Sequence, residues 1–233
     1  MRNDDLERVL GGTTPPPELD PALRARITAS IPVPLRSVRP LPSPGLLITG
    51  LVVTCAAVGV AGAARAGLYG IKRLGTGEAV LILATLAFLA CAAGAEFVAT
   101  VIPGSRRRLT SGALVAVVSA AMLLVFALSF TNYHTHNFVP AGLACLFTGL
   151  LHAIPAALIA CVLLWRGFAV DPVAAGTACG ALAGLAGVTM LELHCPNFQA
   201  LHVLVWHTAV VPVSAAAGAV SGWLLRVRRP LRI

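Results

Sequence analysis

Charge is what this sequence has least of. Asp, Glu, Lys and Arg make up only 11% of its 233 residues and hydrophobic types 58%, whereas a soluble domain carries about 25% charged residues. With a mean hydropathy of +0.87, water is not its main solvent. Lysine is almost missing: Lys72 is the only one, and Ala79 to Ala95 contains no ionised group at all. The net charge of +8 therefore belongs to tails and connections. There, anionic lipid and orientation account for it more simply than nucleic acid does, and no direct nucleic-acid contact is expected. Catalytic signatures are missing too. There is no CxxC redox pair, phosphate loop, dinucleotide fingerprint or nucleophile and base at usable spacing, so no enzymatic activity is expected. Nor does the chain open on a secretory signal. Met1 to Ser43 is polar and proline-rich without an apolar core, and the N-terminus is expected to stay in the mature protein.

What is present is apolar length. A hydrocarbon core of roughly 30 Å takes about 20 residues of helix, and six runs qualify: Gly45 to Ala64, Ala79 to Ile102, Gly112 to Phe130, Val139 to Trp165, Val173 to Leu191 and Val203 to Leu225. The runs are continuous rather than alternating, which selects helices over a β-barrel. The expected fold is all-α, a polytopic bundle of six transmembrane helices. Basic residues resist translocation. An N-in, C-in orientation leaves fourteen of the seventeen on the cytoplasmic side and only Arg65, Lys72 and Arg73 in the first outer loop. Gly176, Gly180 and Gly184 recur on one helical face, a pattern for close contact within the bundle or between copies, which leaves a homo-oligomer open.

Residues 1–44 differ in character and form a cytoplasmic, Pro-rich tail ahead of a 45–233 membrane domain with a basic cytoplasmic C-terminal end. Asp20 followed by Pro21 reads as an N-cap with proline at the first helical position, and Leu19, Leu23 and Ile27 recur at helical spacing. A short amphipathic helix is expected to run to about Ser30, too short to be very stable alone and suited to ordering on a partner. Asp4 to Leu10 offers another turn or two, and the five prolines between Ile31 and Pro44 make an extended connector.

Reactive side chains concentrate in the connections that this topology turns outward. One holds His134 and His136; another, LELHCPNFQALHVLVWH, holds Glu192, His194, Cys195, His202 and His207. Were these helix ends to meet, thiol and imidazole groups would suit a soft or borderline transition-metal ion, with His194, Cys195, His202, His134 and His136 as candidate ligands. The alternative is that the histidines bond loop carbonyls or water. Cys55, Cys91, Cys161 and Cys179 sit inside apolar runs and read as packing residues. Cys195 precedes Pro196 and Asn197, a turn outside the bilayer, so its thiol is expected to be accessible to oxidants or metals and is the candidate for a sensing residue, a structural cysteine being the other reading. Cys145, near the outer end of the fourth span, could approach it. His207, about one turn into the last span, is expected to face protein rather than lipid.

The tail run SVRPLPS, VIPG after the second span, CLFTGLLHAIPAALIACVLLWRG through the fourth and LELHCPNFQALHVLVWH leading into the last occur in an order that resembles the six-span membrane anti-sigma factors of the NrsF type. The likeness covers most of the chain. It implies a bacterial inner-membrane protein whose cytoplasmic segment holds an extracytoplasmic-function sigma factor, and whose outward cysteines, here Cys195 and Cys145, receive a stress signal. The tail carries no HxxxCxxC element, so a compact zinc-type sigma-binding domain is not expected. The tail matches no assignable motif of that family, and the partner-binding residues expected from helical spacing alone are Leu19, Leu23 and Ile27. Two other functions remain beside this one: a metal-handling or small-solute transporter, and a thiol-linked membrane redox protein.

Overall fold

The computed structural model describes residues 20–30, 42–102, 104–163, 169 and 171–228. It divides into two units, residues 1–40 and 41–233. In the first, the described part is helix α1 (Pro21–Ser30). Asp20 caps it as expected, its carboxylate accepting from Ala22 N at 3.0 Å. Leu23 and Ile27, one turn apart, are exposed. Leu19, the Asp4 to Leu10 segment and most of the proline connector lie outside the described residues.

In the second unit the chain forms α2 (Pro44–Ala66), α3 (Thr76–Val101), α4 (Ser111–Ser129), α5 (Phe138–Leu163), α6 (Pro172–His194), and a final run of α7 (Ala200–His202), a π-helical turn (Val203–His207) and α8 (Thr208–Arg228). All described regular structure is helical, and among the described residues six helical stretches are long and apolar enough to cross a bilayer. Their bounds lie within a few residues of the six apolar runs. Local chemistry sets the starts. Ser43, Thr110 and Asp171 each accept a hydrogen bond from the backbone three residues on, and proline fills the first position of α2 and α6. Glu78 reaches back to Gly75 N at 3.1 Å at the start of α3.

Helix α6 is the axis of the unit. Of its most apolar window 83% is buried, against 22% to 44% for the other five spans. It reaches this by being rich in alanine and glycine, which let neighbouring backbones approach. A methyl group at Gly176 would collide with the Gly218 carbonyl of α8, and one at Gly180 with that of Ser214; in return Gly218 and Gly222 press on the carbonyls of Gly176 and Pro172. The glycine stripe thus packs α6 on α8 within one chain. Gly59 of α2 meets the Ala186 carbonyl of α6 in the same way, and Gly187 of α6 meets the Gly149 carbonyl of α5. Large side chains such as Phe88, Leu128, Phe147 and Val162 point outward, as lipid-facing residues do.

Connections gather at two opposite ends. At one, Gly70 N and Ile71 N donate to Leu193 O at 3.1 and 3.2 Å, Ala200 N donates to Asn132 O at 2.6 Å, and Phe130 stacks on Phe198. The α2–α3, α4–α5 and α6–α7 connections therefore meet there. At the other end Arg108 N donates to Glu96 Oε1 at 3.1 Å and Arg107 pairs with Asp171 at 3.6 Å.

Candidate functional site

The end that gathers the α6–α7 turn also gathers the reactive side chains. Helix α6 stops at His194, and Cys195 is its C-cap, its N–H donating to Leu191 O at 2.7 Å. Proline at the next position cannot continue the helix, so the chain turns and the thiol points back into the bundle. There its Sγ lies 3.4 Å from Cys145 Sγ of α5 and 3.7 Å from His202 Nε2. His207 completes the group: one ligand atom from each of Cys145, Cys195, His202 and His207 lies within 4.8 Å of every other. These four residues could hold a metal ion. Behind them, His207 Nδ1–H donates to Glu192 Oε1 at 2.6 Å, both side chains being fully buried.

A local irregularity puts both histidines on one side. Five residues of α-helix turn the chain by about 500°, which would leave His202 and His207 roughly 140° apart. The π-helical turn over Val203–His207 widens this stretch, with Thr208 N reaching Val203 O. Bonding from residue i to i+5 brings side chains five apart back over one another, and the two imidazoles stand edge to face with centroids 5.2 Å apart. Such turns occur often at functional sites.

Of the five residues expected to ligate metal, Cys195 and His202 come together and three do not. His194 is held by its own contacts, its Nδ1 bonded to Gly67 O at 2.8 Å and its ring against Tyr69. His134 and His136 are exposed in the α4–α5 connection, where polar side chains are solvated at no cost in packing. Their places are taken by Cys145 and His207. The inward orientation expected for His207 holds, since it is 0% exposed.

One expectation is corrected. The Cys-Pro turn was expected to leave the Cys195 thiol accessible, yet Cys195 is only 3% exposed. The α2–α3 connection covers it: Gly70 packs on the backbone carbonyls of Glu192 and Cys195, and Arg73 Nη1 donates to Pro196 O at 3.1 Å. Cys145 is half-buried and is the more open of the two thiols. The neighbouring Cys145 thiol, and after it burial, push the Cys195 thiol above its ordinary range, while His202 and His207 pull it part of the way back. Its resting form at neutral pH is the protonated thiol.

Two further polar residues in the spans, His152 and Glu96, have structural partners. His152 Nδ1 bonds Thr148 O at 2.9 Å in its own helix and its ring packs on Gly62, while Glu96 accepts from the Arg108 backbone. Cys161 and Cys179 form a looser pair at 4.0 Å between α5 and α6.

Among known proteins, a family model described as NrsF, negative regulator of sigma F, matches residues 30–226. That description implies negative regulation of a sigma factor, with a sigma factor as the partner. No curated protein and no solved structure matches the chain.

Proposed function

The chain belongs to the NrsF family of negative regulators of sigma F, and from that membership we propose that it is an anti-sigma factor of the bacterial inner membrane. In this reading it sequesters an extracytoplasmic-function sigma factor at its N-terminal tail and releases it when a stress signal reaches Cys145 and Cys195. The family match carries the sigma-factor half. The signal half rests on the meeting of two thiols fifty positions apart, next to buried histidines.

The arginine count supports an orientation with both chain ends in the cytoplasm, because the connections at the Cys-Pro end are the poor ones in basic residues. The α6–α7 turn then looks to the outer side. On the inner side α1 offers Leu23 and Ile27, exposed one turn apart, as a small apolar face for a partner groove. Leu19 falls one turn before them in sequence. Release needs two arrangements of the bundle that bind sigma with different affinity, and the signal must favour the weaker-binding one. The protein acts by binding rather than by catalysis.

Co-purification of a co-encoded sigma factor with the full-length chain in detergent tests the first half. We expect wild-type protein to retain sigma and Leu23→Asp to lose it. Retention by the variant would remove α1 from the contact. In a reporter strain, Cys195→Ser should still repress sigma but respond poorly to the inducing stress; unchanged induction would refute the sensing role.

A further inference from the structure

We propose that Cys145, Cys195, His202 and His207 form a tetrahedral binding site for one d10 metal ion of the zinc class, with Glu192 as the outer residue that orients His207. The donor set is the first argument. Two thiols and two imidazoles are the ligands that soft and borderline ions select, and Cys2His2 is an established four-coordinate zinc set. Spacing is the second. In a tetrahedral complex with metal–sulfur bonds of about 2.3 Å and metal–nitrogen bonds of about 2.0 Å, neighbouring ligand atoms lie roughly 3.3 to 3.8 Å apart. By pair type the ideal is about 3.8 Å between sulfurs and about 3.5 Å from sulfur to nitrogen, and the 3.4 Å between the sulfurs and 3.7 Å from Cys195 Sγ to His202 Nε2 lie within about 0.4 Å of these. The four ligand atoms lie within 4.8 Å of one another before any ion draws them together.

Unpartnered buried atoms are the third argument. His207 is wholly buried; with Nδ1–H given to Glu192, the neutral ring would offer Nε2 as its metal-binding atom, and that nitrogen has no hydrogen-bond partner among the described residues. A buried polar atom without a partner costs about 1–3 kcal/mol, and a metal ion would relieve it. A carboxylate on the far nitrogen of a ligating histidine is the usual outer arrangement of such centres, fixing the tautomer and raising the ligand's basicity.

Charge is the fourth. Binding of a divalent ion forms two metal–sulfur and two metal–nitrogen bonds, and the two thiol protons leave to solvent. The two thiolates balance the ion, so the complex adds no net charge to a buried site. The ligands tie α5, the α6–α7 turn and the head of the last span to one point, so occupancy would clamp three elements that otherwise meet through packing and weak sulfur hydrogen bonds. The binding site stands independently of the sigma-factor reading; its use as the signal input rests on that reading.

The test is a metal titration of the reduced, full-length protein in detergent, with Zn2+ in competition with a chromogenic chelator and Co2+ as a spectroscopic probe. No sigma factor is present, so its failure is distinct from a failure of sigma co-purification. We expect one ion per chain and Co2+ spectra with intense visible bands and thiolate charge transfer. Cys145→Ser should weaken binding by at least about 100-fold and reduce the charge-transfer band, and Glu192→Gln should weaken it about 10–100-fold. Cys161→Ser, outside the cluster, should bind like the parent. Retained helicity and elution volume will show that each variant is folded. Absence of stoichiometric binding in the parent overturns the site. So does binding indifferent to Cys145→Ser, or a parent that forms a Cys145–Cys195 disulfide with air while showing no affinity for Zn2+, which would make the pair a redox element.

Discussion

At the scale of single residues, the Cys195 thiol has the most direct consequence. Its proton is held by the Cys145 thiol and by burial, and only the thiolate attacks electrophiles. With a raised pKa the thiolate is scarce at neutral pH and grows in as pH rises. In protein freed of metal and of the other four cysteines, alkylation of Cys195 by a small neutral reagent should therefore keep accelerating beyond pH 8.5, where an ordinary thiol of pKa about 8.5 is already half ionised. Cys145→Ala removes the largest upward influence and should move the profile to lower pH; an unmoved profile would show that burial alone sets it. The residue scale is also where the sequence was least informative. Cys195 and His202 stood out by the Cys-Pro turn and by their nearness to it. His134 and His136 looked equivalent, because nothing in a loop sequence says which side chains turn inward. Cys145 could be placed only through topology and resemblance, and His207 through the cost of an imidazole in hydrocarbon. That His202 and His207 converge was invisible, since α-helical periodicity sets them apart and no pattern announces a π turn.

At the scale of elements, glycine spacing carried real information: Gly176, Gly180 and Gly184 do line one contact, against α8. Gly180→Val should be severely destabilising, because the added atoms meet the backbone of Ser214 and Ala215 rather than a side chain able to move. Overpacking commonly costs about 1–3 kcal/mol, and backbone on both sides leaves little room for relaxation. Gly77→Ala makes the contrast. Nothing lies within 4 Å of its new methyl group, and it exchanges a poor helix former for the best, a gain of up to about 1 kcal/mol. Thermal unfolding of the purified protein should rank Gly77→Ala at or above the parent and Gly180→Val far below it. The tail helix is the opposite kind of element, short and exposed, held by a cap. Asp20→Ala removes the bond to Ala22 N and costs about 1 kcal/mol of helix. If α1 orders on sigma, that loss should appear as roughly fivefold weaker sigma binding in a titration of the full chain.

At the scale of the whole molecule, the six spans and the gathering of their connections at two ends follow from hydropathy and bilayer thickness, and the sequence announced them. Their packing order around α6 was not announced, because four of the other five spans are comparably apolar and only small-residue content singles out the centre. The proposed orientation predicts that an impermeant thiol label added to intact cells reaches Cys145 from outside, after the other cysteines are replaced. Labelling only after the cells are opened would invert the molecule and remove the sensing role of this end. The π turn has a long reach here. It sits between two registers of the last span: His202 and His207 facing the thiols, and Gly218 and Gly222 facing the backbone of α6. Deleting one residue within Val203–Trp206 would rotate everything downstream by about 100° relative to the turn before it. Such a protein could keep its imidazoles aligned or its glycines seated, but not both. The widened turn is thus the phase adjuster that lets one helix serve a chemical end and a packing end together, and its one-residue deletion should lose either metal affinity or thermal stability even though no ligand and no glycine has been replaced.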